Sequence, residues 1–304
     1  MDYQQLIERL YQETKDLAAS GKVASYIPAL ADVPGNSFAI SVKTCKNELF
    51  NVGDHRIPFS IQSISKVFTF ILAFKIIGPE IWNRIGREPS GSAFNSLIQL
   101  EIEQGVPRNP LINAGAIVVA DILVSLIKNP KQKLLEFVRS LADDDNIFYD
   151  KGVAASEKET GHRNYALAHF MKSFGTITNP VEEVLDLYFH QCSLAMNTDQ
   201  LARAFLFLAN EGTNPFTKEE ILNPSRAKRL KALMLTTGMY NESGDFAFRV
   251  GIPAKSGVGG GIVAIIPNQL SIAVWSPPLN AAGNSVAGIE ALERFTTYSE
   301  KSIF

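Results

Sequence analysis

Residues 67–77 read Val-Phe-Thr-Phe-Ile-Leu-Ala-Phe-Lys-Ile-Ile, apolar almost all the way round any helix they could form. No surface position suits such a run, so the pattern predicts a buried central helix over 63–77 with the chain packed around it. Gly53-Asp54 marks a turn ahead of it, and Gln62-Ser63-Ile64-Ser65-Lys66 lies at its mouth. A serine there has backbone N–H groups and the positive end of the helix dipole beside it, which suits a developing oxyanion. Lys66 lies one turn along on the same face, within reach of the Ser63 hydroxyl. Ser63-x-x-Lys66 therefore reads as nucleophile plus base. The plainer reading is an N-cap serine followed by a solvated lysine, because about one such spacing arises by chance in a chain this long. Stretches further along decide between the two.

At 304 residues the chain can hold one large domain or two interleaved ones. Hydrophobic residues at 46% and charged ones at 20% describe an ordinary globular protein. Lys+Arg 29 against Asp+Glu 31 gives no reason to expect nucleic acid or an anionic membrane as partner. The start, Met1-Asp2-Tyr3-Gln4-Gln5, has neither a basic nor an apolar leader region, and the longest apolar run is too short to span a bilayer. Cys45 and Cys192, far apart, read as reduced thiols of a cytoplasmic protein.

Residues 4–19 have the pattern of an amphipathic helix, and Tyr26-Ile27-Pro28-Ala29-Leu30-Ala31 that of an extended apolar piece fixed by proline. Residues 37–42 alternate at period two and, with 48–52, predict a hairpin. From 78 to 230 helices and loops dominate: 113–127, 162–174, 180–189 and 198–210 are helical, the last capped by Thr198. The Asp143–Asn146 charge run reads as a solvated loop, and the basic 225–229 stretch as a wet helix face. Residues 261–266 and 270–275 flank a Pro267-Asn268-Gln269 turn, a second hairpin, and 288–301 closes the chain as a helix. Strands at both ends with helices between predict an α/β (α+β) fold. Its antiparallel sheet is built from both chain ends and flanked by helices, with an inserted all-helical domain. The expected division is 1–77 plus 231–304 against 78–230, with a site where they meet.

Lys255-Ser256-Gly257-Val258-Gly259-Gly260-Gly261 opens the first C-terminal strand in this reading. A Lys-[Ser/Thr]-Gly triplet on a strand, paired with an upstream Ser-x-x-Lys, is the pattern of serine β-lactamases and penicillin-binding proteins. Glycines let the backbone approach a substrate and aim main-chain donors at an oxyanion. A phosphate loop is the rival reading; it fails because no helix follows and no Gly-Lys-[Ser/Thr] ending is present. His55, His162, His169 and His190 share no metal-ligand spacing, so no metal and no Ser-His-Asp triad is expected.

Taken in order, Tyr26-Ile27-Pro28, Gln62 to Lys66, Asn109 to Ile117, Tyr188 to Ser193, Gly238-Met239-Tyr240 and Lys255 to Ile262 resemble the serine-dependent glutaminase family, over about residues 20 to 290. The resemblance implies a β-lactamase-like fold and hydrolysis of L-glutamine to L-glutamate and ammonia, with no metal or organic cofactor. It makes Ser63 the nucleophile and Lys66 its partner; with Lys255 brought close in support, Tyr240 reads as the group that relays a proton from Lys66 to the departing ammonia. Substrate contacts fall at Tyr26, Ser63, Asn113, Glu157, Asn164, Tyr188, Tyr240 and Val258, and the protein is expected to be a homo-oligomer, a dimer or tetramer. The roles make physical sense. A free amino acid carries an α-ammonium, which suits Glu157 with Glu159 as the rival acid, and an α-carboxylate, which suits Asn113, Asn164 and the tyrosine hydroxyls. Val258 would give its backbone N–H to the oxyanion with that of Ser63. A Tyr240 phenolate between Lys66 and Lys255 is expected to have a depressed pKa, and Lys255 to repel charge on Lys66.

Two other readings stand beside this one. A related amidase or esterase would act on another small acyl substrate, which the full ammonium-and-carboxylate set disfavours. A silent amino-acid sensor would have no use for Ser63, Lys66 and Tyr240 together.

Overall fold

The computed structural model describes residues 1–91 and 95–304. Its main sheet is antiparallel, in the order β2-β1-β8-β7-β6. The N-terminal hairpin supplies β1 (Ala39–Thr44) and β2 (Leu49–Gly53); the C-terminal part supplies β6 (Ala254–Ser256), β7 (Gly261–Ile266) and β8 (Leu270–Trp275). A smaller sheet, β3-β5-β4, joins β3 (Phe59–Ser60), β4 (Phe148–Tyr149) and β5 (Leu194–Met196).

Period-two alternation explains why β1, β7 and β8 are buried on both faces. Ile40, Val42, Ile262, Ala264, Ile272 and Val274 point to one side, onto the Tyr3–Thr14 and Val286–Ser299 helices. Ala39, Val263, Ile265, Ala273 and Trp275 point to the other, into a core shared with the helical part of the chain. The Thr198–Ala209 helix closes that second face, tied down by a 2.7 Å hydrogen bond between the Thr198 and Ser41 hydroxyls.

The central helix, Ser65–Ile77, is buried at every residue from Ser65 to Phe74. It packs on the Asn113–Leu126 and Val181–Cys192 helices, and each of Phe68, Phe70 and Phe74 contributes roughly 1.5–3 kcal/mol by leaving water. A 3₁₀ turn, Gln62–Ile64, leads into it and carries Ser63.

Several local details differ from the sequence reading. Lys255-Ser256 occupy their own three-residue edge strand, β6, and do not open β7; a run that short carries no periodicity. Pro28–Ala31 is one helical turn, since proline at its first position is preorganised for helix as well as for extension. Thr198 is inside its helix: Asn197 caps it in a reciprocal capping box with Gln200. Among the described residues no single helix is long and apolar enough to cross a membrane.

Candidate active site

Ser63 lies on the wall of a cleft of about 110 Å³ lined also by Tyr26, Gln62, Asn113, Glu157, Asn164, Tyr188, Cys192 and Val258. Elements from both chain ends and from the middle converge there. The β6–β7 turn brings in Val258, and its approach depends on glycine. A Cβ on Gly257 would stand 2.3 Å from the Ile61 carbonyl oxygen, and one on Gly259 2.1 Å from that of Ser60. Only bare backbone lets this turn lie against the 60–62 segment, beside Ser63.

Two residues flanking the reacting groups adopt left-handed backbone, Gln62 at φ 48° and Tyr240 at φ 56°. Such conformations cost about 1–3 kcal/mol each for residues with a side chain, and both are buried here. The surrounding packing holds them in place.

Behind Ser63, away from the cleft, lie Lys66, Tyr240 and Lys255. Lys66 is fully buried, and its ammonium donates to Asn113 Oδ1 at 2.7 Å and weakly to the Leu111 carbonyl at 3.4 Å. Burial pulls its pKa down to about 8, against the opposing pull of Cys192 and Glu157. The Tyr240 hydroxyl hydrogen-bonds Ser63 and reaches the Ser256 carbonyl at 3.5 Å. Lys255 donates to the carbonyls of Gly238, at 2.9 Å, and Ser256, at 2.6 Å, with Nζ 4.3 Å from the centre of the Tyr240 ring.

Two electrostatic expectations are overturned. Burial raises the Tyr240 pKa above that of an ordinary phenol, more than its bonds to Ser63 and Ser256 lower it, so tyrosine keeps its proton. Repulsion between the lysines bears on Lys255, whose pKa burial and Lys66 together push well below the usual lysine value. The depression of Lys66 comes from burial alone.

Facing the cleft, Glu157 is buried and hydrogen-bonds Gln62; loss of solvation raises its pKa to about 7, with the Gln62 bond and the Lys66 charge opposing. Glu159 is exposed. Asn113 Nδ2 donates to Asn164 Oδ1 at 2.9 Å, which leaves a second Nδ2 hydrogen on Asn113 for a ligand. Tyr188 is buried and bonded to the Cys192 thiol, and burial raises the pKa of both. Tyr26 sits on the rim, more than half exposed. Tyr240 lines a neighbouring cavity with Ser243 and Asn241, so of the expected contacts it alone reaches the site from behind the serine. Sequence reading gave no role to Cys192, Thr160 or Arg163, which also line the cleft. No spacing rule singles them out, although Cys192 sits one helical turn beyond Tyr188 and so shares its face.

The arrangement offers a serine hydroxyl hydrogen-bonded to a protonated phenol, a buried lysine of lowered pKa, and a buried acid at the cleft wall. Among the described residues no three His, Cys, Asp or Glu side chains cluster as a metal site.

Comparison with known proteins identifies the family. The glutaminase family model matches residues 21–304. A glutaminase from Christiangramia forsetii is 54% identical over 304 residues, covering all of both chains. The solved structure of a probable glutaminase, ybaS, superposes with a TM-score of 0.93 at 36% identity, covering 99% of this chain and 97% of that one. The Bacillus subtilis glutaminase YbgJ, in covalent complex with 5-oxo-L-norleucine formed by reaction with 6-diazo-5-oxo-L-norleucine, superposes with a TM-score of 0.90 at 34% identity, covering 100% of each. Sequence and fold together make the chain an enzyme of the glutaminase family, with the β-lactamase-like fold of its members.

Proposed function

We propose that the protein hydrolyses the side-chain amide of L-glutamine to L-glutamate and ammonia through an acyl-enzyme on Ser63. The observation that carries the reading is a serine hydroxyl at the cleft wall, with a buried lysine of pKa about 8 behind it and a buried carboxylate facing the cleft. Glu157 holds the α-ammonium, while Asn113, Asn164 and Tyr188 hold the α-carboxylate. Fixing both α-groups sets the distance from Cα to the amide carbon and delivers it to Ser63.

Ser63 Oγ attacks the carbonyl carbon as Lys66 Nζ accepts its proton. The backbone N–H groups of Ser63 and Val258 hold the oxyanion. On collapse the C–N bond breaks, the Tyr240 hydroxyl gives its proton to the departing nitrogen, and the proton on Lys66 restores the phenol. Water then attacks the ester carbonyl carbon as Lys66 accepts a proton; the bond to Ser63 Oγ breaks, Lys66 returns the proton to that oxygen, and glutamate leaves. The covalent complex of the Bacillus subtilis relative with 5-oxo-L-norleucine supports nucleophilic catalysis.

The decisive test is ammonia release from L-glutamine, with intact-mass measurement after 6-diazo-5-oxo-L-norleucine. Wild type is expected to turn over and gain one adduct; Ser63→Ala is expected to fold, bind glutamate and do neither. Near-normal turnover by Ser63→Ala would remove the acyl-enzyme. A cytoplasmic location and a dimer or tetramer complete the proposal, supported by two free thiols and by large apolar side chains left exposed at Ile98, Ile102 and Phe248. The two-part division at 77/78 and 230/231 belongs to it as well, supported by a cleft wall drawn from both parts.

A further inference from the structure

A second cavity, of about 570 Å³, lies further along the central helix, between that helix, the 78–87 segment and the Pro224–Thr237 helix. Its floor is aromatic. Phe70, Phe74 and Trp82 pack with ring centres 5.3 to 5.8 Å apart, and Leu230 and Leu233 complete the apolar surface. Arg87 and Arg229 stand at its edge. Arg87 lies 5.4 Å over the Trp82 ring, and Arg226, beside the floor, 4.9 Å over that of Phe74. Among the described residues none of these three guanidiniums has a carboxylate within 4.0 Å, and the nearby Glu80 and Glu88 do not line the cavity.

An aromatic-floored hollow of this size is in the range of small-molecule sites, and unpaired cations at its edge select the sign of the occupant. We propose that this cavity binds a small amphipathic monocarboxylate, with its apolar body on Phe70, Phe74 and Trp82 and its carboxylate on Arg87 and Arg229. Arg87, 5.4 Å from the Trp82 ring centre and with no carboxylate partner among the described residues, has the planar fork of N–H groups that suits a bidentate bond to the acid. The site is separate from the catalytic cleft, though Phe70 and Phe74 continue, at four-residue steps, the helix stripe that begins with Lys66.

The chain carries its own reporter, since it has two tryptophans and Trp275 is buried and stacked on Phe59 at 4.8 Å. Titrating the full-length protein with 4-phenylbutyrate is expected to change Trp82 emission saturably, and Trp82→Phe to abolish the signal. Arg87→Ala with Arg229→Ala is expected to weaken binding about tenfold or more, the worth of charge-assisted bonds, while ammonia release from glutamine stays normal and certifies the fold. The neutral 4-phenylbutanol is expected to bind more weakly and to the same extent in wild type and double variant. The proposal fails if no saturable change appears up to about 10 mM, a ceiling of about 3 kcal/mol of affinity, or if acid and alcohol bind alike. It also fails if emission shifts on concentrating the protein alone as a larger species grows, because a second copy of the chain then covers the cavity.

Discussion

Replacing Asn113 by Asp tests the base directly, because the change is nearly isosteric and lands on the closest contact of Lys66. The amide oxygen that accepts from Lys66 Nζ at 2.7 Å becomes part of a carboxylate. At pH 7 a lysine with pKa about 8 is neutral in about a tenth of molecules, roughly 300-fold more than at its ordinary value of 10.5. A charge at about 4 Å in an effective dielectric near 20 stabilises the ammonium by about 4 kcal/mol, and desolvation of the new acid takes back part of it. Shifts of about 1–3 pKa units are usual for such neighbours. The midpoint of kcat against pH should therefore move from about 8 up to about 9–11. The sign follows from the role: the neutral amine is the working form, and raising its pKa removes it at neutral pH. At pH 7, kcat should fall about 10- to 1,000-fold and recover as the medium becomes alkaline. The assay is ammonia release at saturating glutamine from about pH 6.5 to 10.5, the span between the reference pKa values of histidine and lysine. Saturation matters because an acid at 113 also repels the substrate carboxylate and raises KM. A lowered kcat with its midpoint still at about 8 would show that Asn113 only places substrate and that the titrating base is another group.

Glu157→Gln should raise KM with a smaller effect on kcat. In wild type KM should fall as pH rises through about 7, where Glu157 ionises and can pair with the ammonium; a flat KM across that range would remove the role. Asparagine, one methylene shorter, should be turned over about 10²-fold more slowly than glutamine, because its amide stops about 1 Å short of Ser63, and equal rates would refute the two-point clamp. Gly259→Ala places a Cβ 2.1 Å from the Ser60 carbonyl oxygen, so the turn that holds Val258 must retreat. Its kcat should drop while the protein stays folded by circular dichroism, and an unchanged kcat would remove Val258 from the oxyanion site.

The parts of this fold legible in the sequence are those where one local rule acts over many residues. Period-two alternation at 37–42 and apolar runs flanking the Pro267-Asn268-Gln269 turn revealed the hairpins, and near-continuous apolarity over 67–77 the central helix. Short elements have no such length to average over. β6 has three residues, β3 and β4 two each, and they exist because a partner strand is there to accept their hydrogen bonds. The packing of the Thr198–Ala209 helix on a sheet made from both chain ends is a tertiary fact that no window of sequence holds. In the site, Ser63 and Lys66 are visible because they are neighbours on one turn. Cys192 and the strained backbone of Gln62 emerge only once distant segments are brought against each other.

Tyr240 shows how far residue identity falls short of electrostatics. Two lysines beside a phenol suggest a phenolate, but that inference holds only if both lysines carry charge. Both are fully buried, and both are pushed toward the neutral amine, Lys66 by burial and Lys255 by burial and by the charge on Lys66. What acts on Tyr240 is its own burial, helped by Cys192 and Glu157 and opposed by two hydrogen bonds, and burial wins. The proton therefore sits on oxygen before catalysis begins. A protonated phenol cannot take the proton of Ser63, but it can deliver its own to a leaving nitrogen, while the lysine of pKa about 8 can accept one. In the proposed mechanism the pair would divide acid from base without a histidine: burial disfavours the charged form of each group, which leaves about a tenth of Lys66 as neutral amine at pH 7 and keeps Tyr240 a phenol. Lys255, spending its hydrogens on the Gly238 and Ser256 carbonyls, ties β6 to the residues just before Tyr240 and so fixes where that acid points.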